Sequence, residues 1–188
     1  MRNRFTLRVI RMEREFLVFT YKIPGSQSNS RVYVWRMMKE FGAVFLQQGV
    51  ALLPDSDDLS VRLGALRKKV RSSGGISTLG KLHFSEEEDE AEIIAEFGKQ
   101  VDEEYEEFIA NCRKLVNEVK DEVLSEEYNF SEITENEEEY KKFQRWYEKI
   151  GKKNYFQSER KALAADVLKE AKEELQKYSD EVFRRDSM

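Results

Sequence analysis

Few residues in this sequence have the chemistry of a catalyst. The chain has one cysteine, Cys112, and one histidine, His83, which are too few for a zinc site of cysteine and histidine ligands. Cys112 lies on the apolar side of a long predicted helix, where a small buried side chain is favoured over a reactive thiolate. His83 lies at the end of a predicted strand, where packing or hydrogen bonding is the favoured role. We therefore predict no catalytic residue, no metal site, no cofactor and no enzymatic activity.

Acidic residues and glycines give no catalytic motif either. The acidic run at 102–107 holds carboxylates that surround a predicted helix, and such a distribution favours a solvated face over a cation site. The Ser73-Gly74-Gly75 segment is a predicted turn, because it lacks the Lys-Ser/Thr that follows the glycines of a phosphate loop.

Basic side chains carry the stronger signal. On the first predicted helix, Arg31, Arg36 and Lys39 flank Tyr33 and Trp35. Cations attract phosphates and aromatic rings can stack on bases, although Trp35 taken alone is expected in the core. The predicted nucleic-acid-binding or anion-binding residues are Lys22 at the end of a strand, Arg31, Tyr33, Arg36 and Lys39 on the first helix, and Arg67, Lys68 and Arg71 on the second. The alternative is an ordinary charged surface, partly paired with acidic helices.

The charge is divided between the two halves of the chain. Residues 1–82 hold 15 Lys/Arg against 6 Asp/Glu, and residues 83–188 hold 17 against 31. This asymmetry predicts two units, with a basic domain at 1–84 and an acidic domain at 85–188. Either the two halves attract each other, or the basic half faces an anionic partner.

The basic half has the pattern of an α+β domain. A nearly continuous apolar run at 15–23 predicts a central strand, and helical spacing predicts helices at 31–41 and 59–70. The segment 43–54 is either two short strands around a turn or one bent strand, and 76–84 alternates as a final strand. The resulting β-α-β-β-α-β order is that of a ferredoxin-like split βαβ domain. Residues 1–14 are an extra strand, a basic arm or an upstream extension.

The acidic half has the pattern of three amphipathic helices. Apolar residues recur at steps of three and four along 94–123 and predict one long helix that begins near Ser85. A capping box at 134–137 predicts the start of the next helix, and the last begins near Ser158. We expect these helices to pack as an antiparallel three-helix all-α domain.

The composition also suggests where the chain resides. No apolar run approaches the ~18 residues of a membrane span, and no secretion signal follows the basic start. A single cysteine fits a reducing compartment. We expect a soluble cytoplasmic protein without a membrane partner.

Several segments together resemble the N-terminal region of the chromate resistance protein ChrB. They are Val18-Phe-Thr-Tyr-Lys-Ile-Pro24, Ser30-Arg-Val-Tyr-Val-Trp-Arg36, Lys39-Glu-Phe-Gly-Ala43, Gln47-Gln-Gly-Val-Ala-Leu-Leu-Pro54, Phe143-Gln-Arg-Trp146 and Asn154-Tyr-Phe156 with Arg160. The resemblance implies chromate-responsive control of efflux genes. Longer members of that family carry a C-terminal domain connected with chromate sensing, which is not expected in this chain.

The first half also resembles two other groups with the same order of elements. These are the central domain of the PaaX repressor and the small CRISPR-associated ferredoxin-like nucleases. The nucleases place an Asp at the end of their first strand to bind metal, whereas this chain reads Tyr21-Lys22-Ile23 at that point. Nuclease activity is therefore not expected.

Three hypotheses of function follow from these patterns. The leading one is a non-enzymatic regulatory module that binds DNA or a regulatory partner through the basic domain. The second is a structural or oligomerisation module, for which open sheet edges and the long apolar seam favour a homodimer. The third is an oxyanion binder that takes chromate or phosphate at Lys22, Arg31 and Arg36.

Overall fold

The computed structural model describes residues 14–126 and 128–186. Within these ranges the structure is α+β and mostly helical, with a four-stranded antiparallel sheet and five helices. The elements are β1 (Phe16–Lys22), α1 (Ser28–Glu40), β2 (Val44–Gln47), β3 (Val50–Pro54), α2 (Asp57–Ser72), β4 (Ile76–Leu82), α3 (Glu87–Leu124), α4 (Phe130–Gly151) and α5 (Arg160–Asp186). Apart from Arg14, the predicted strand or arm at 1–14 lies outside the described residues.

The sheet has the strand order β2-β3-β1-β4, with each neighbouring pair antiparallel. The apolar run that predicted a central strand is β1, which pairs with β3 on one side and with β4 on the other. The segment 43–54 forms two strands rather than one bent strand. Gly49 at the turn between them has φ of 80°, a left-handed conformation that favours glycine.

Strand alternation directs one set of apolar side chains into the core of this part of the chain. Leu17, Phe19 and Leu53 share a sheet face, and each is at most 2% exposed. Because α2 contacts both β1 and β4, its leucine stripe packs on the sheet while its charged residues remain outside.

The chain divides into two compact units between Glu90 and Ala91. The second unit contains α4, α5 and most of α3. Tyr147 of α4 packs on Phe108 of α3, and further along α3 Glu122 accepts a hydrogen bond from Asn136 of α4 at 3.4 Å. The residue numbers of α3 and α4 therefore change in opposite directions, so these two helices are antiparallel.

The last helix runs in the same direction as α3. Lys120 lies 2.6 Å from Glu170, and Glu126 lies 3.6 Å from Arg185. The start predicted for α4 from the capping box was wrong. The helix begins one turn earlier at Phe130, where the Asn129 side chain accepts a hydrogen bond from a first-turn backbone N–H. None of the helices in the described ranges is long and apolar enough to cross a membrane.

Candidate nucleic-acid interface

The basic residues of the first unit are positioned by two helices that lie side by side. The start of α1 meets the end of α2, where the Ser73 hydroxyl donates to the Ser30 hydroxyl at 2.9 Å. One turn further along, Lys69 Nζ lies 5.9 Å from the centroid of the Tyr33 ring. The two helices therefore run antiparallel, and each buries one apolar side, which directs its charged residues toward solvent.

A groove of about 290 Å³ lies between the two helices. Its lining residues are Tyr33, Met37, Glu40 and Phe41 on the α1 side and Arg62, Ala65, Leu66 and Lys69 on the α2 side. Arg62 lies over the Phe41 ring at 5.5 Å and is paired with Asp58 at 3.0 Å. The groove therefore has mixed charge and an aromatic wall.

Of the residues predicted to bind an anion or nucleic acid, only Tyr33 lines this groove. The cations beside it, Arg62 and Lys69, were missing from the predicted set. Their spacing of seven residues places them on one side of α2, and this was the available signal. Which side of α2 faces α1 depends on tertiary packing, so spacing alone could not select them.

The other predicted residues lie on the outer sides of the helices. A helix turns about 100° per residue, so Arg31 and Lys39 share the side of α1 that faces away from α2. Lys39 accordingly lies over the ring of Phe45 in β2, at 5.9 Å. We call Arg31 and Lys39 the α1 row. Arg36 projects outward between this row and the groove.

Arg71 lies on the side of α2 that faces away from α1, and Lys68 projects outward, opposite the buried leucines; we call these two residues the α2 row. Arg67 is on the same side as Arg71 but half-buried, and its Nε is enclosed without a hydrogen-bond partner among the described residues. Lys22 is exposed at the end of β1. Within the first unit, no ion-pair partner of Arg36, Lys68 or Arg71 is found in the part of the chain that the structure describes.

The prediction that Trp35 belongs to the core was wrong, since its side chain is 50% exposed. The buried side of α1 is taken by Val34 and Met38, and Trp35 projects about 100° from Val34 and about 60° from Met38, on the side that carries the α1 row. Val32 is also 45% exposed. The outer surface of α1 therefore combines cations with apolar side chains, the composition of a contact surface.

The cations proposed for an oxyanion site do not converge on one point. Arg31 and Arg36 are five residues apart, so they project about 140° from each other around α1. The Arg31 Nη2 already donates to the carbonyl of Gly25 at 3.2 Å. A compact oxyanion needs several donors directed at one place, and this set does not provide them.

The environments of Cys112 and His83 indicate structural roles for both side chains. Cys112 is fully buried, its Sγ lies 3.8 Å from the carbonyl of Val167, and burial raises the pKa of the thiol to about 11. The predicted packing role of this cysteine is confirmed. His83 lies 3.0 Å from Glu15, which agrees with the predicted hydrogen-bonding role.

An ion-pair cluster closes the end of the sheet beside His83. Lys81 lies 2.6 Å from Glu15 and 2.7 Å from Asp55. Its ammonium group lowers the pKa of the Asp55 carboxyl, and the two carboxylates raise the pKa of Lys81. Across residues 14–126 and 128–186, no group of three or more Cys, His, Asp or Glu side chains is placed to hold a metal ion.

The fold and the interface define an α+β protein with an exposed basic face on two antiparallel helices. A family model described as Protein ChrB, N-terminal, matches residues 31–188. The chain therefore belongs to the ChrB N-terminal family, and the resemblance seen in the sequence is confirmed. Neither the curated proteins nor the solved structures gave a match.

Proposed function

We propose that this chain is a non-enzymatic regulatory module that binds DNA through the basic face of its first unit. Its family suggests a role in chromate resistance. A DNA-binding member of the family would act by regulating the genes of that response. The proposal includes a cytoplasmic location and no catalytic step.

The observation that carries the proposal is the exposure of the cations on α1 and α2. Arg36, Lys68 and Arg71 are exposed and lack carboxylate partners within the described part of the first unit. An unpaired cation on a surface is free to displace the counterions that surround a phosphate backbone. Half-exposed Trp35 and Val32 add apolar contact area to the same surface.

We also propose that the first unit is a ferredoxin-like domain and the second an antiparallel three-helix domain. The β1-α1-β2-β3-α2-β4 order and the strand order β2-β3-β1-β4 support the first assignment. The packing of Phe108 against the aromatic residues of α4 supports the second. In this arrangement the sheet is a rigid support for α1 and α2.

Binding of a labelled duplex by the full chain, measured by fluorescence anisotropy, tests the proposal. At ~50 mM salt we expect a measurable affinity that falls steeply by ~200 mM salt, because phosphate contacts release counterions. The variant Arg31→Gln, Arg36→Gln, Lys39→Gln removes three charges from α1 and should bind more weakly. No binding by the unmodified chain at ~50 mM salt would overturn the proposal.

A matched control separates the interface from the overall charge. The variant Lys142→Gln, Arg145→Gln, Lys149→Gln removes three exposed charges from α4 in the second unit. We expect this control to bind the duplex as the unmodified chain does. Equal losses in both variants would show that net charge, and not the α1 surface, sets the affinity.

A second candidate function is self-association. The end of the second unit exposes a group of large apolar side chains, with Leu124 at 81%, Phe183 at 55% and Phe130 at 46%. The rings of Phe130 and Phe183 pack edge to face at 5.3 Å, which leaves their outer surfaces in contact with water. The apolar side of α3 leaves little surface for self-association, since it is buried within the chain from Phe97 to Val119.

Light scattering over a range of protein concentrations tests this second candidate. A mass above 22.3 kDa that the Phe130→Ser, Phe183→Ser variant loses would support it. A strict monomer at all concentrations would remove self-association and leave the DNA-binding proposal intact.

A further inference from the structure

Resting on the proposed function, we infer that the α1 row and the α2 row contact opposite strands of one DNA duplex, across a single groove. The α1 row is Arg31 and Lys39, and the α2 row is Lys68 and Arg71. Each row contacts the phosphates of one DNA strand, and the protein surface between the rows faces the groove of the DNA.

The spacing of the rows is the first argument. Two packed helices have axes 8–10 Å apart, and a Cα lies about 2.3 Å from its own axis. The α1 row and Arg71 of the α2 row project away from each other, so their backbones are roughly 13 Å apart. The major groove of B-DNA is about 12 Å wide, and long Arg and Lys side chains can reach the phosphates on both of its edges.

The length of the α1 row is the second argument. Arg31 and Lys39 are eight residues apart, which corresponds to about 12 Å along the helix. A duplex strand advances 3.4 Å per phosphate, so this row can follow several phosphates of one strand. A single-stranded nucleic acid has only one backbone and can engage only one of the two rows.

The charge of the protein surface between the rows is better suited to face the base edges in a DNA groove than to face a phosphate backbone. Glu40 and Lys69 both line the region between the helices, and the Arg62 charge there is offset by Asp58, so this lining carries little net charge. A phosphate placed centrally would meet Glu40 as well as Lys69, whereas base edges carry no net charge.

The aromatic residues do not form a stacking platform for a single strand. One face of the Tyr33 ring has Lys69 Nζ above it, at 5.9 Å from the centroid. Tyr33 and Trp35 are two residues apart and therefore project to nearly opposite sides of α1. Successive bases of one strand cannot stack on both rings.

The experiment compares a duplex of about two helical turns with one of its single strands, at the same salt concentration. Three full-chain variants are used: Arg31→Glu, Lys39→Glu in the α1 row; Lys68→Glu, Arg71→Glu in the α2 row; and Lys142→Glu, Arg145→Glu as the control. We expect the unmodified chain to bind the duplex at least about tenfold more tightly than the single strand. Each row variant should lose duplex affinity by a comparable factor, and the control should lose little.

The outcomes separate this inference from the proposed function. Single-strand binding as tight as duplex binding, or loss of duplex affinity from only one row, would overturn the two-row geometry and leave DNA binding in place. Failure of the unmodified chain to bind either nucleic acid would overturn the proposed function and the inference with it. Circular dichroism of each variant checks that the fold is retained.

Discussion

The variant Lys153→Met should destabilise the second unit, because Lys153 is buried and its partner is Glu104; among the residues that the structure describes, no other lysine or arginine is buried. Lys153 is 6% exposed, and its ammonium group donates to both carboxylate oxygens of Glu104. Methionine retains most of the apolar stem, so the variant mainly removes the charge. Removing one partner of a buried pair costs 3–5 kcal/mol in general. Because the Glu104 side chain is 37% exposed, water offsets part of this loss, and we expect ~2–3 kcal/mol.

Urea unfolding followed by tryptophan fluorescence measures this loss. A Trp35→Phe background leaves Trp146 as the only tryptophan, so the signal reports on the second unit. The matched control is Lys120→Met, which removes a lysine paired with Glu170 at 2.6 Å where both side chains are more than 40% exposed. We expect the control to lose several-fold less stability. Equal losses for the two variants would refute the reasoning that burial makes the Lys153 pair important.

Three further predictions concern the turn, the thiol and the end of α5. Gly49→Ala should lower the free energy of unfolding by ~1–3 kcal/mol, since φ at Gly49 is 80° and a Cβ there would lie 2.4 Å from a β1 carbonyl oxygen. The control is Gly25→Ala, because there is open space around Gly25. Equal denaturation midpoints for the two variants would contradict this prediction. Cys112 should resist alkylation at pH 8 until the chain is unfolded, which mass spectrometry can follow; labelling of the folded protein at the unfolded rate would be inconsistent with its burial. Hydrogen bonds from Arg184 and Arg185 lower the pKa of Glu181 from 4.5 to about 2. The stabilising contribution of the Glu181 carboxylate is therefore present above pH 4.5 and is lost as the pH falls toward 2. An NMR titration midpoint of Glu181 near 4.5 would refute these hydrogen bonds.

The secondary structure of the first unit could be predicted because burial imposes a distinct period on each element. The residues 15–23 are apolar almost throughout because β1 is a central strand that buries side chains on both faces, Leu17 and Phe19 on one and Phe16 on the other. The stripe Leu59, Leu63, Leu66 and Val70 predicted α2 because one side of that helix is buried. These patterns are contained in the local sequence, so they can be recognised without knowing which elements pack against each helix or strand.

The start of α4 could not be predicted reliably, because two caps compete in the same stretch. Thr134 and Glu137 have the spacing of a capping box, yet both lie inside the helix. Asn129 caps the helix one turn earlier, and its neighbour Phe130 gains contact with Phe183. The local sequence offers both caps, and it does not show that residue 130 has a packing partner in α5.

The candidate interface was predicted in composition but not in arrangement. Helical spacing identified the exposed cations of α1 and α2, but it gave no indication that Lys69 and Tyr33 meet across the groove. The exposure of Trp35 was missed because a large apolar side chain is normally assigned to a core. The rotation of α1 on the sheet, fixed by Val34 and Met38, determined both results.

The salt dependence of duplex affinity tests the central claim most directly. Log affinity should fall linearly with log salt concentration for the unmodified chain, with a slope of about −0.9 per phosphate contact. For the variant Arg31→Gln, Arg36→Gln, Lys39→Gln we predict a slope that is shallower by at least roughly 2, since the phosphate contacts of Arg31 and Lys39 are removed. An unchanged slope would contradict the assignment of DNA binding to α1.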